Sequence, residues 1–441
     1  MKAHSQADKV AEGQVQALLE SAFHAAVGAA QPTVALSKVW LEPAVGKTVV
    51  VGAGKAASSM AQALEARLVA LDWTPEAWPD PLSVVITRYG HLEPAMRQPD
   101  PQRPPVRVIE ARHPLPDLAG VRATRKLMDA LEGSTEQDQV ICLLSGGGSA
   151  LLSAPWGVTL EQKINLTGVL LRSGASIAEM NTVRKHLSRV KGGKLAALAF
   201  PARVRSFIVS DVVGDDLSHI ASGPTAPNRS NFEDALDILE RYEIDAPEAK
   251  WHLRRGAAGT FSTLEPHSKT FERVENHLLI TNTLALEAAR AQLEAAGLSA
   301  HILSDRVEGE AREAAREHAR AARTLGMGQA LLSGGETTVT VRGGGQGGRN
   351  LEFLLALALE LRGEPDLYAL AADTDGIDGV GDAAGAWIGP DTLERASTLV
   401  LDAQAMLEDN DAYRFFAVLG DLLITGPTST NVNDFRCVLR T

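Results

Sequence analysis

Lys47-Thr48-Val49-Val50-Val51-Gly52-Ala53-Gly54-Lys55-Ala56-Ala57-Ser58-Ser59-Met60-Ala61 decides the architecture. A run of β-branched residues makes a short strand, glycine ends it, and the alanine- and serine-rich stretch after Lys55 is a good helix start. The same alternation continues outward. Strands are expected at 83–87, 106–110, 139–144 and 205–210, with a helix over 120–131 and a long helical region over 160–200. A strand-helix-strand rhythm of this kind builds a parallel sheet covered by helices. Upstream, the spacing of Val15, Leu18, Leu19 and Phe23 predicts an amino-terminal helix over 7–30.

From about 242 to 276 the period is lost, charge rises, and Pro247, Gly256 and Pro266 appear, which marks a junction. A second alternating series follows, with strands at 277–281, 299–303, 329–332, 337–341, 367–372, 422–425 and 435–439. The chain therefore reads as α/β in two domains, over 1–245 and 277–441, with a linker over 246–276. Its 441 residues exceed what one hydrophobic core usually supports, so two domains is also the expectation from length.

With 45% hydrophobic and 22% charged residues the composition is that of a globular protein. A formal net charge of -12 argues against nucleic acid and anionic membranes as partners. No apolar signal core and no run of about 18 apolar residues occurs, so a cytoplasmic location is expected. Cys142 and Cys437 each sit in an apolar run and read as buried hydrophobes.

Four clusters can carry chemistry. Ser145-Gly146-Gly147-Gly148-Ser149 follows a strand; consecutive glycines let backbone N–H groups converge on an anion, and a following helix would add its positive end, so phosphate is the expected ligand. Lys55 in Gly52-Ala53-Gly54-Lys55 stands at a strand-to-helix turn, where it can meet a phosphate as a point charge. The run matches neither the Walker pattern, since Val49 and Ala56 are wrong, nor the full dinucleotide fingerprint, since Ala57 replaces the third glycine. In Ser210-Asp211-Val212-Val213-Gly214-Asp215-Asp216 carboxylates crowd a strand end, which implies Mg²⁺ or a shared proton. The fourth joins Glu336, the loop from Arg342 through Gly348, Arg349, Asn350, and Asp373-Thr374-Asp375-Gly376-Ile377-Asp378. The glycines suggest a mobile or substrate-hugging loop. Arg349 opens the next helix, where a guanidinium could clamp a carboxylate or a transferring phosphoryl group. His113 and His186 read as structural, and the absence of a Gly-x-Ser-x-Gly elbow weakens a hydrolase reading.

GAGKAA, HPLPD, LLSGGGSALL, NTVRKHLSRVKGGKLA, SDVVGDDLSHIASGPT, LLSGGET, GGGQGGRNLE, ADTDGIDG and the closing GPTSTNVND together resemble the glycerate 2-kinase family with a MOFRL carboxy-terminal domain. The resemblance runs from about Val49 to Asp434. It implies ATP- and Mg²⁺-dependent phosphorylation of D-glycerate at its 2-hydroxyl. It also implies a Rossmann-like amino-terminal domain, a smaller MOFRL-type domain and an active site in the cleft between them. The family's active-site positions fall on Lys55, Asp211, Glu336, Arg349, Asn350 and Asp375. On this reading Ser145, Gly146, Gly147, Gly148 and Ser149 hold the nucleotide, and Lys55 and Arg349 meet the transferring group. Asp211 and Asp375 carry metal or proton, and Glu336 and Asn350 orient substrate. A homodimer is compatible with the sequence. The rivals are an NAD(P)H-dependent hydroxypyruvate reductase and a non-catalytic sensor of sugar acids or nucleotides.

Overall fold

The computed structural model describes residues 6–74, 76–97, 106–261 and 264–441. The chain forms two compact units, one of Pro32–Leu279 and one of Ile280–Thr441 together with the described residues up to Gln31.

In the first unit six strands, β1 (Thr48–Ala53), β2 (Val84–Arg88), β3 (Arg107–Ala111), β4 (Gln139–Leu144), β5 (Arg203–Val209) and β6 (Val274–Ile280), form a sheet in the order β3-β2-β1-β4-β5-β6. The pairs among β1 to β5 are parallel. Every residue of β1 and β4 is buried, as expected of strands covered on both faces, and this is why they read as unbroken apolar runs. The chain moves outward from β1 through β2 to β3, then returns to the other side of β1 for β4. Connections leave β1 and β4 in opposite directions, so a crevice opens at their carboxyl ends, the usual ligand position in such a sheet.

The stretch 160–200 is three helices, Leu160–Arg172, Ile177–His186 and Lys194–Ala199. Thr159 and Ser176 each start a helix with a reciprocal capping box, so the interruptions are written in cap residues that apolar spacing alone does not register. The stretch 246–276, expected as a linker, carries the helix Pro247–Ala257. Its His252 and Leu253 are buried, with His252 edge-on to Trp156 and stacked on Phe261.

The second unit is built on β7 (Ser299–Glu310), β8 (Gln329–Thr338), β9 (Leu367–Asp373), β10 (Gly385–Ile388), β11 (Leu422–Leu423) and β12 (Asp434–Arg440), in the order β11-β10-β9-β12-β8-β7. β12 lies antiparallel between β8 and β9, with Asp434 opposite both Gly335 and Asp373. The runs 329–332 and 337–341, read as two strands, belong largely to the single strand β8. The amino-terminal helix Gln6–Ala29, read with the first domain from its place in the chain, packs in this second unit. Leu19, Ala22, Phe23 and Ala26 are fully buried along one face, and Phe23 meets Phe435 of β12 edge-on.

Both cysteines are free and buried, and burial pushes their thiols up to about 12. Among the described residues no helix is long and apolar enough to cross a membrane.

One buried histidine gives the core of the second unit a pH signature. His318 is 2% exposed, its Nδ1 donates to the Ala314 carbonyl at 2.7 Å, and its Nε2 therefore accepts from the Ser333 hydroxyl at 2.7 Å. Burial, with the charge of Arg436 second, lowers its pKa to about 4. Above pH 6.5 the ring is neutral in both folded and unfolded chains. Below it the unfolded chain takes a proton that the folded one refuses, so stability is lost as pH falls toward 4. Between pH 7 and pH 5 the wild type is expected to lose about 2 kcal/mol more than His318→Gln in urea denaturation. Equal losses in the two proteins would show that His318 does not titrate this way.

Candidate active site

The crevice of the first unit is built around two turns locked to each other. The Lys55 amide donates to the Gly146 carbonyl at 2.7 Å, the Ala56 amide to Ser145 Oγ at 3.1 Å, and Thr87 Oγ1 to the Lys55 carbonyl at 3.2 Å. The turns approach too closely for side chains: a Cβ on Gly54 would stand 1.9 Å from Ser145 Oγ. Asp211, at the end of β5, lies directly against the glycine turn, its Oδ2 only 1.8 Å from where a Cβ on Gly146 would be. Glycine at these positions is a packing requirement as well as a means of exposing backbone.

Lys55, Ser145, Gly146, Gly147, Gly148 and Asp211 are thus neighbours across β1, β4 and β5. His113 joins them, about 3 Å from where a Cβ on Gly147 would lie. Burial, then the charges of Lys55, Arg88 and His91, lowers the His113 pKa to about 4. Those three basic groups are close enough to make a positive field, and His113 is a neutral ring within it. The expected contribution of a following helix is small, because Gly148–Leu151 is a single turn. Ser149 is turned to Ser222, with 2.7 Å between the two hydroxyl oxygens. Of the three carboxylates expected to crowd together, only Asp211 meets the turn. Asp216 accepts from the Ser218 amide at 2.8 Å, and Asp215 sits in a turn at φ 58°.

In the second unit Arg349 is the first residue of the helix Arg349–Leu361. Its Nε donates to Asp434 Oδ1 at 2.6 Å and its Nη2 to Asp373 Oδ2 at 2.7 Å, while Nη1 lies 3.6 Å from Glu336 Oε1. The strand register explains the meeting: β12 sets Asp434 beside Asp373 of β9 on one side and beside Gly335, which precedes Glu336 in β8, on the other. Burial opposes the charge of Arg349, yet Asp434, Asp373 and Glu336 together raise its pKa above the ordinary value. Asp434 also pairs with the buried Arg436. Burial works against its ionisation, but the two guanidiniums hold its pKa below the usual carboxylate value. Asp373 goes the other way: burial and then the charge of Asp375 push it well up. The Asp375 amide donates to Asp373 Oδ1 at 3.0 Å, so the two acids share one turn.

Asn350 is 0% exposed, with its amide donating to Asp434 Oδ1 at 2.8 Å and to Asp378 Oδ1 at 3.2 Å. Asp378 in turn accepts from the Asn350 and Leu351 amides, capping the helix that presents Arg349. Burial raises the Asp378 pKa to about 6. A cavity of about 420 Å³ is lined by Glu336, Thr338, Gly345, Gly348, Arg349 and Glu352 among others. The glycine-rich loop, read as either mobile or substrate-hugging, is pinned and lines this cavity. Asn410 Oδ1 accepts from the amides of Arg342 and Gly343, Asp409 Oδ1 from Gly344, and Asp411 Oδ1 from Gln346.

From sequence, Asp373 is in a chemistry-bearing run but has no role of its own, Asp434 is not singled out, and His113 reads as structural. All three lie in motifs already singled out, HPLPD, ADTDGIDG and NVND, but strand register was needed to bring the two acids to Arg349. Among the described residues no group of three or more His, Cys, Asp or Glu is placed to hold a metal ion. Asp373 is engaged by Arg349, which leaves Asp375 on the same turn, and Asp211 beside the glycine turn, as the carboxylates that could serve a divalent cation; Mg²⁺ commonly takes one or two and completes its shell with water and phosphate oxygens.

A family model described as a domain of unknown function, DUF4147, matches residues 18–254, and a model of the MOFRL family matches residues 329–434. Over 434 residues the chain is 45% identical to an Agrobacterium vitis protein provisionally named hydroxypyruvate reductase, covering 96% of this chain and 94% of that one. It is 41% identical over 359 residues to the D-glycerate 2-kinase of Thermotoga maritima, covering 80% of this chain and 82% of that one. A crystal structure of glycerate kinase from Thermotoga maritima matches it with a TM-score of 0.85 at 37% identity, covering 97% of this chain and 100% of that one. With matches in both of its units, the chain belongs to the glycerate 2-kinase family, a DUF4147 region followed by a MOFRL domain.

Proposed function

We propose that this protein is a glycerate 2-kinase that uses ATP and Mg²⁺ to phosphorylate D-glycerate at its 2-hydroxyl, giving 2-phosphoglycerate and ADP. The observation that carries the reading is the basic turn at the switch point of the first sheet, where Lys55 and the Gly146–Gly148 backbone converge beside Arg88 and His113. Such a turn suits a polyphosphate. In the transfer, a bond forms between the γ-phosphorus and the glycerate 2-oxygen, and the bond to the β,γ-bridging oxygen breaks. Alignment and positive charge on the equatorial oxygens supply most of the rate.

Ser145 through Ser149 are assigned to the triphosphate, and Lys55 and Arg349 to the transferring group. Asp211 and Asp375 are the carboxylates assigned to the metal and to the proton released by the hydroxyl. Mg²⁺, when bound, supplies charge neutralisation at the phosphates. Glu336 faces the cavity beside Arg349 and is assigned to the substrate hydroxyls. Asn350, being wholly buried, is assigned to orienting Asp434, and through it Arg349.

The test is an assay of purified protein with ATP, Mg²⁺ and D-glycerate that resolves 2-phosphoglycerate from 3-phosphoglycerate, with NADH and hydroxypyruvate run in parallel. Magnesium-dependent 2-phosphoglycerate is expected, with no NADH oxidation. NADH oxidation without phosphorylation would replace the kinase by a reductase.

A further inference from the structure

Arg184 lies on the helix Ile177–His186, Lys191 in the segment after it, Lys194 at the start of the helix Lys194–Ala199, and Lys163 on the preceding helix Leu160–Arg172. None of the four has a part in the phosphotransfer described above. Lys191 is 0% exposed, and its Nζ has no hydrogen-bond partner. Lys163 is 6% exposed and donates to Ser153 Oγ at 3.1 Å. Lys194 is half-buried, with Nζ on the carbonyls of Lys185 at 2.7 Å and Lys191 at 3.3 Å, and Arg184 is half-buried too.

The charges that bear on Lys191 are those of Lys163, Arg184 and Lys194, all positive. Lys163 in turn feels Arg184, and Lys194 feels Lys185. Among the described residues no carboxylate pairs with any of the four. An isolated buried ammonium is strongly disfavoured, and four cations gathered without an acid are more so. Burial accordingly lowers Lys163 and Lys194 to about 8 and Lys191 well below its ordinary value. A bound anion removes the conflict: it gives the orphaned Lys191 ammonium an acceptor and offsets the mutual repulsion.

The cluster is also tied to the glycine turn. The Ser149 and Ser222 hydroxyls are hydrogen-bonded, and Ser222 Oγ donates to Asn181 Oδ1 at 3.3 Å. Asn181 and Arg184 are three residues apart on the same helix and share a face. We propose that Lys163, Arg184, Lys191 and Lys194 form a binding site for an oxyanion of the phosphate class, in which Lys191 is fully buried and Arg184 and Lys194 are half-buried. An arginine fork with lysine point charges, and no acceptor among them, selects for such a group. Its source is either a phosphate of the bound nucleotide or a separate phosphorylated small molecule, and the site does not depend on glycerate being the acceptor.

Calorimetric titration of the full chain with inorganic phosphate tests this, alongside Lys191→Met and Arg184→Gln. The first substitution keeps the length of the buried stem; the second is at a half-buried residue and keeps the site measurable should the first fold poorly. Saturable binding to the wild type is expected, with Kd weakened about 10-fold or more in each folded variant. No saturable binding, or an unchanged Kd in the folded variants, overturns the proposal, the latter because phosphate is then bound at the Lys55 turn. Repeating the titration with saturating ATP separates the sources. Loss of phosphate binding assigns the site to the nucleotide, and retained binding assigns it to a separate ligand; both results require the site to exist.

Discussion

Arg349→Ala is expected to lower kcat on the order of 10³-fold or more and to destabilise the second unit by about 3–5 kcal/mol. The two effects have different origins. Stability falls because Asp434 and Asp373, 0% and 4% exposed, would each lose a guanidinium donor at 2.6 and 2.7 Å. Asp434 would keep Arg436; Asp373, already pushed up by burial and by Asp375, would take a proton. Turnover falls because Nη1, the edge that the two acids do not hold, borders the cavity beside Glu336. Arg349→Lys separates the contributions. A single ammonium can partly neutralise the acids but cannot fork between them and still present an edge to a ligand. It is expected to recover much of the stability in urea denaturation and little of the turnover in the phosphoglycerate assay. An alanine variant with wild-type stability and near wild-type kcat would remove Arg349 from both roles.

How far this site could be read from sequence depends on what each residue needs to be recognised. The position of the glycine turn and of Lys55 was legible because its signal is local: a β-branched run ends in glycine and a helix starts within a few positions. The α/β class was legible for the same reason. Asp434 was not, since its role arises from the antiparallel placement of β12 between β8 and β9, a pairing of distant segments that no window of sequence contains. Asp373 suffered differently. Two acids share one turn, and only burial distinguishes the one facing Arg349 from the one left partly accessible. For the glycine-rich loop from Arg342 to Gly348, read as mobile or substrate-hugging, the sequence left the choice open, because glycine content signals only permissiveness, whereas here carboxylate and amide oxygens of residues 409–411 hold its N–H groups. The amino-terminal helix was correctly placed in sequence and wrongly grouped by it, since Leu19 and Phe23 announce a buried face without naming what covers it.

Gly146→Ala should show whether the glycine turn and Asp211 act as one device, and its effect on kcat is expected to be 10²- to 10³-fold, estimated as roughly the cost of misplacing a reacting group by about 1 Å and somewhat more. Gly146 is not among the positions with positive φ, so alanine meets no backbone strain there. The obstacle is steric: the new Cβ would fall 1.8 Å from Asp211 Oδ2 and 2.2 Å from its Cγ. Something must move, and the turn resists, because Gly146 accepts the Lys55 amide at 2.7 Å and Ser145 accepts the Ala56 amide at 3.1 Å. The Asp211 side chain, attached to a loop, is the part that yields. A stability loss of about 1–3 kcal/mol from overpacking should accompany the change. If displacement of Asp211 is the cause, the methyl group must be nearly harmless once that carboxylate is gone. A double-mutant cycle with Asp211→Ser therefore reads the coupling, and the penalties in kcat should be far from additive, Gly146→Ala costing little in the Asp211→Ser background. Additive penalties would place the damage in the turn's own backbone and leave Asp211 independent of it, and a Gly146→Ala enzyme with wild-type kcat would take both out of the phosphate site.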